Sequence, residues 1–225
     1  HFDEGINGWF VDHLIARGYF VYDPTNYHGP FHFYVLFLFK LLMGRNLWAL
    51  RFSSSLFGLA SIWLILGFKP YFGKFTSYAA ALFVAVSPAM IFYSRYAIHE
   101  TELLFFSLLA FHGYLRYKTK SDKISLWLMS LGVAGMVVTK ETYILHIGCF
   151  VLALLCLSVY ERFSPSTDEV PKAPAQFTSR DVICIVSAGL FLILFFYSGL
   201  FQSKNGIYGL FTSISSWMKT GHSGH

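Results

Sequence analysis

Charge is scarce in this sequence. Of its 225 residues, 13% are Asp, Glu, Lys or Arg and 55% are apolar, whereas a soluble domain carries roughly 25% charged residues to cover its surface. That shortage excludes a disordered chain and argues against a cytosolic enzyme. Cysteine is scarce too. Cys149, Cys156 and Cys184 are odd in number, lack CxxC spacing and fall inside apolar runs, which excludes a disulfide scaffold and predicts buried free thiols. The seven prolines are few, and three of them gather at Pro165, Pro171 and Pro174. There is no one-sided basic patch: the net charge of +5 comes from Lys and Arg scattered at the ends of apolar runs, so no nucleic-acid partner is expected.

What the sequence has in abundance is Phe (25) and Tyr (14), aromatic mass suited to lipid and to the lipid–water boundary. Six apolar runs stand out: Phe52–Phe68, Thr76–Ser94, Leu103–Tyr117, Ile124–Thr139, Tyr143–Tyr160 and Val182–Phe201. Each has about the length needed to cross a hydrocarbon core of about 30 Å. Ile124 to Tyr160 cannot be one span, because a single helix there would reach roughly 55 Å and would bury Lys140 and Glu141 at mid-membrane. Phe31–Met43 contains His32 and Lys40 and is too short for a span; it reads as an interfacial or core helix. The expected fold is an all-α, polytopic transmembrane helical bundle with interfacial helices in its first outer loop. Its divisions are an outer loop at 1–51, six spans within 52–201 with a Pro-rich cytoplasmic linker at 161–181, and the start of another outer loop at 202–225. The chain begins at His1 without a Met, so a longer protein is expected.

Six spans sort the loops onto two faces. One face holds the Lys and Arg residues at 69, 74, 116, 118, 120, 123, 162, 172 and 180, which the positive-inside rule makes cytoplasmic. The other face receives Asp3, Glu4, Asp12, Asp23, Glu100, Glu102 and Glu141, together with His28, His32 and His99. Carboxylates and imidazoles from separate loops on one outer surface are what a site at the membrane boundary requires, although outer loops need polar residues in any case.

Each motif has an ordinary reading beside a chemical one. The Asp3-Glu4 pair is a solvated helix start, or it activates an acceptor hydroxyl or binds a cation. Tyr27-His28-Gly29-Pro30 is a turn opening a helix with Pro at its first position, with His28 able to face a site. In Arg95–Glu102 (RYAIHETE), Glu100 and Glu102 suit the dipole of the helix they begin. Alternatively His99, Glu100 and Glu102 ligate Mg²⁺, Mn²⁺ or Zn²⁺, and Arg95 neutralises an anion. Lys140 and Glu141 form a surface pair at a tight turn, or contact a lipid phosphate.

HFDEG at 1–5, YHGP at 27–30, SPAMIFYSRYAIHE at 87–100 and TKET at 139–142 together resemble the GT-C membrane glycosyltransferases. The likeness is to the branch of protein O-mannosyltransferases and lipid A aminoarabinose transferases, and within it to the prokaryotic flippase-associated subgroup. It extends over the whole chain, as the N-terminal part of such a protein. The resemblance implies a multi-pass protein of the inner or cell membrane. Its implied activity is transfer of a sugar from a polyprenyl-phosphate carrier to a lipid, glycan or protein acceptor, with inversion, on the non-cytoplasmic side. It implies catalytic roles for Asp3 and Glu4, with Asp3 as base. Arg95, Lys140, His28 and Glu141 would bind substrate, Lys140 at the carrier phosphate, and a divalent metal would sit at His99, Glu100 and Glu102. HETE stands where related oligosaccharyltransferases have a DxD-like form. The competing expectations are a flippase or transporter subunit and a non-catalytic assembly protein for lipid-linked sugars.

Overall fold

The computed structural model describes residues 2–24, 28–163 and 174–220. Among these residues there are eleven helices and no strand: α1 (Phe2–Arg17), α2 (Phe31–Met43), α3 (Leu47–Leu66), α4 (Lys69–Phe72), α5 (Lys74–Val86), α6 (Pro88–Tyr93), α7 (Glu100–Lys120), α8 (Lys123–Thr139), α9 (Tyr143–Phe163), α10 (Ser179–Tyr197) and α11 (Asn205–Thr220). The fold is an all-α, polytopic membrane protein. Residues 164–173 of the linker expected at 161–181, and the last five residues, lie outside the described residues.

Helix starts follow the local chemistry. Asn46 accepts the Ala49 N–H at the head of α3, Asp122 accepts the Ser125 N–H at the head of α8, and Thr178 with Asp181 forms a reciprocal capping box on α10. These side chains satisfy N–H groups that have no partner within the helix. The run at Thr76–Ser94 does not form a straight helix. Ser87 is extended and Pro88 lacks an N–H, so α5 and α6 meet at a bend of 61°, as expected of a residue held out of helical conformation by the proline after it.

Among the described residues, three stretches are long and apolar enough to cross a membrane: Leu47–Phe72, Tyr143–Phe163 and Ser179–Tyr197, with the bent α5–α6 pair as a fourth if it counts as one span. The runs at 103–117 and 124–139 are also helical, within α7 and α8. However, α8 has 17 residues, about 26 Å of helix, and α7 carries Glu100 and Glu102 at its start and Lys118 and Lys120 at its end.

The closest packing joins α7 to α8, and small residues permit it. A Cβ on Gly132 would lie 2.5 Å from the backbone N of Ala110, one on Gly113 would lie 2.6 Å from the backbone N of Met129, and one on Gly135 would fall 2.2 Å from the Phe106 ring. Small residues at crossing points let backbones approach and dispersion contacts accumulate where lipid supplies no hydrophobic drive. On the other side of α8, the Ser130 hydroxyl donates to Ile185 O of α10 at 3.0 Å. In contrast, α9 has no buried residue. The three cysteines, on α9 and α10, are exposed on the outside of the bundle rather than packed within it.

The helix ends form two polar groups. At one end Arg116 pairs with Asp122, Lys123 with Asp181 at 2.8 Å, the Gln176 N–H with Ser121 O at 2.9 Å, and the His112 ring stacks on Phe68. The other end gathers α1, α2, the start of α3, residues 95–102 and the turn at 140–142.

Gly135→Leu should overpack the α7–α8 contact and cost about 1–3 kcal/mol. Its thermal unfolding midpoint in detergent should fall well below that of Gly148→Ala, a position with nothing within 4 Å of an added Cβ. Equal midpoints would show that the α7–α8 crossing tolerates the added bulk.

Candidate active site

The first loop is held by close backbone contact. Gly29 donates its N–H to Thr139 O at 3.0 Å, and a Cβ there would sit 2.1 Å from Val138 O. Only glycine allows the chain to lie so near the end of α8. That approach creates a two-residue antiparallel bridge between His28 and Lys140. Pro30 then caps α2 with φ −71°, and the first turn of α2 turns His32 inward.

Side chains from distant segments pair at this end. Arg51 of α3 donates two hydrogen bonds to Glu4 of α1, at 2.8 and 2.9 Å. The Ala97 N–H approaches the same carboxylate at 3.4 Å, and Asn7 donates to Ala97 O at 2.8 Å. Burial works to raise the Glu4 carboxyl, but the Arg51 hydrogen bonds and charge and the Ala97 N–H outweigh it and hold it below its usual value. Lys140 donates to Glu100 at 2.7 Å. His32 Nδ1 and Glu102 Oε1 lie 2.8 Å apart, and both side chains are fully buried. His99 lies with ring centroids 3.9 Å from His32 and 4.5 Å from His28. Burial, His32, His28 and Lys140 all push the His99 imidazole well below its ordinary value, so it is neutral at physiological pH.

Between these segments lies a cavity of about 460 Å³, lined by Ile6, Asn7, His28, Phe92, Tyr93, Tyr96, Ile98, His99, Glu100 and Lys140. A neighbouring cavity of about 540 Å³ is lined by Arg51, Arg95, Met43, Trp48, Phe52 and Ser55. Apolar grooves elsewhere, such as the one of about 440 Å³ along α7, α8 and α9, contain none of these polar groups.

The residues singled out in the sequence are therefore partly together. His28, His99, Glu100 and Lys140 line the first cavity. Glu4 lines neither cavity and is engaged by Arg51, and Arg95 faces the second cavity. Asp3 lies on α1 beside Glu4, and its side chain is outside the described residues. Glu141 points away from both cavities and accepts from the Tyr22 hydroxyl at 2.8 Å. The three residues expected to hold a metal do not converge. Glu102 is taken by His32 and Glu100 by Lys140, and among the described residues no group of three or more His, Cys, Asp or Glu side chains is placed to hold a metal ion. The residues present do not fit a metal there, and no step below passes through one. Arg51, Asn7, Tyr96, Tyr22 and His32 were not among the expected site residues. Arg51 did leave a signal, as the one charge inside the apolar stretch of α3.

A family model described as dolichyl-phosphate-mannose-protein mannosyltransferase matches residues 27–167, more than half of the chain. This chain belongs to that family. The match covers the His28 turn, the 95–102 segment and Lys140, the same three stretches that the fold brings together. Among curated proteins, Protein O-mannosyl-transferase 1 of Rattus norvegicus is 25% identical over 222 residues, covering 87% of this chain and 29% of the relative. The chain thus spans less than a third of that relative's length. No solved structure matches. The family places the chain among GT-C mannosyltransferase-like membrane proteins, in agreement with the resemblance carried by its motifs.

Burial pushes the Glu141 carboxyl up to about 7, against the lowering effects of the Tyr22 hydroxyl and the Lys140 charge. Its folded value thus lies above the unfolded value near 4.5. Between these two pH values the unfolded chain releases this proton and the folded chain retains it. Stability is therefore greatest below about pH 4.5 and falls as pH rises through about 7. Glu141→Gln should unfold later than the parent at pH 8, by up to a few kcal/mol, and the advantage should vanish at pH 5. A parent-minus-variant difference that does not change with pH would refute the assignment.

Proposed function

We propose that the full-length protein transfers mannose from a polyprenyl-phosphate carrier to a hydroxyl of a protein, glycan or lipid acceptor, at the non-cytoplasmic membrane boundary. The observation that carries this reading is the cavity where the His28 turn, residues 96–100 and Lys140 meet, within the segment that matches the mannosyltransferase family.

The cavity suits the chemistry. Phe92, Tyr93 and Tyr96 offer aromatic faces for the C–H surface of a sugar. Asn7, His28 and His99 offer hydrogen-bonding groups, and Lys140 supplies a cation at the end of α8. In the transfer, the acceptor oxygen forms a bond to the anomeric carbon as the bond from that carbon to the phosphate oxygen breaks. The bonding pair leaves with the phosphate, and the acceptor proton passes to a carboxylate, so a single displacement inverts the centre. Glu4 is poorly suited to that role because Arg51 stabilises its charged form, which leaves Asp3 as the base. Lys140, and Arg95 from the neighbouring cavity, would neutralise the departing phosphate at headgroup depth. His28 would border the sugar. Glu141 would support the turn that presents Lys140 rather than touch substrate.

The six-span reading, with 1–51 and 202–225 outside and 161–181 inside, places this cavity on the outer face. The grouping of Arg116, Lys123, Asp181 and Ser121 at the opposite end of the bundle supports it. The exposed positions Arg45 and Lys120, each replaced by cysteine in a background without native cysteines, should react with a membrane-impermeant maleimide from opposite sides. Labelling of both from one side would overturn the topology.

The reaction is tested with full-length protein in vesicles and a radiolabelled polyprenyl-phosphate mannose. The parent should form labelled acceptor, and Asp3→Asn at equal expression should lose on the order of 10²–10⁴-fold in rate. Movement of the labelled lipid across the bilayer without transfer would favour a flippase instead.

A further inference from the structure

His99 is held in an unusual setting. It lies between the rings of His28 and His32, is almost wholly buried, and lines the cavity. Its Nε2 is buried and makes no hydrogen bond. Behind it, His32 and Glu102 are bonded to each other at full burial. His28, His32 and Lys140 disfavour a charged His99 from three directions, and Glu100 is occupied by Lys140. A neutral imidazole has one donor and one acceptor nitrogen, and here one of the two is buried without a partner. Leaving such an atom unpaired is costly, so its missing partner comes from water or from a ligand in the cavity.

We propose that His99 is a specificity-determining residue for the donor sugar, its Nε2 exchanging a hydrogen bond with one mannose hydroxyl in the cavity. The inference rests on the mannose-donor reading above. The His32–Glu102 pair acts through His99, packing against its ring at a tilt of 36° so that its nitrogen edge is fixed. A site built to hydrogen-bond a hydroxyl rejects the analogue that lacks it, because the buried partner is then left unpaired.

The test measures equilibrium binding of mannosyl-phosphoryl-polyprenol, and of its 2-, 3-, 4- and 6-deoxy analogues, to the full-length protein in nanodiscs without acceptor. Transfer rates are measured in parallel. The parent should bind one deoxy donor about 10- to 100-fold more weakly than the native donor. His99→Ala should lose a similar factor on the native donor and lose nothing further on that one analogue, while its discrimination against the other three persists. His99→Asn, which keeps a short hydrogen-bonding group, should recover part of the loss. Each variant is compared with itself across donors, so a general folding defect cancels. A uniform loss on all five donors in His99→Ala, or no loss on any, would overturn the assignment, as would failure of the parent to bind the native donor. Binding with the expected single-hydroxyl pattern but no transfer would instead sink the mannosyl-transfer reading and leave the His99 contact standing.

Discussion

A carboxylate withdrawn from water into an apolar bundle must find a partner, and at the cavity end of this protein each partner comes from a distant segment. Glu4 of α1 takes Arg51 of α3, Glu102 of α7 takes His32 of α2, Glu100 takes Lys140 beyond α8, and Glu141 takes Tyr22 of the first loop. Removing one member of such a pair strands the other in a poorly solvated place, which is more costly than the pair is favourable. The pairs therefore act as ties that set how the first loop sits on the helix ends. The rest of this end of the molecule depends on them.

The same constraint shapes the chemistry available there. Pairing leaves some groups charged and others neutral: the Glu4 carboxylate is stabilised by Arg51, the Glu141 carboxyl is raised by burial, and the His99 ring is neutral. A cavity whose walls combine the Lys140 cation, the neutral His99 imidazole and aromatic rings suits the proposed donor, an uncharged sugar joined to an anionic phosphate. The close backbone approach at Gly29 makes this possible, because it brings His28 against Lys140 before any side chain is engaged.

Much of the helical framework was legible in the sequence. The apolar runs at 52–68, 124–139, 143–160 and 182–201 lie on helices because their length and composition leave few alternatives in lipid. The break in the 76–94 run was missed, although Ser87-Pro88 contains its cause. Among site residues, His28, His99, Glu100 and Lys140 were recognised from motifs, and the fold brings them together. His32 was read as one of the outer-face imidazoles, on an interfacial or core helix, and was not given a site role. Its pairing with Glu102, 70 residues away, leaves no trace in local spacing. The same holds for Arg51 and Glu4, and for Tyr22 and Glu141.

By itself the sequence determined the class of the protein, the positions of most helices and the family, because these follow from composition, run length and short motifs. It also placed the ionisable residues at helix ends, since charge is too costly to leave in the middle of a span. Only the tertiary structure decided which of those residues meet, which are engaged elsewhere, and that the three proposed metal ligands part company. That decision rests on backbone approaches of a few ångströms between segments far apart in the chain. Periodicity within one helix carries no information about them.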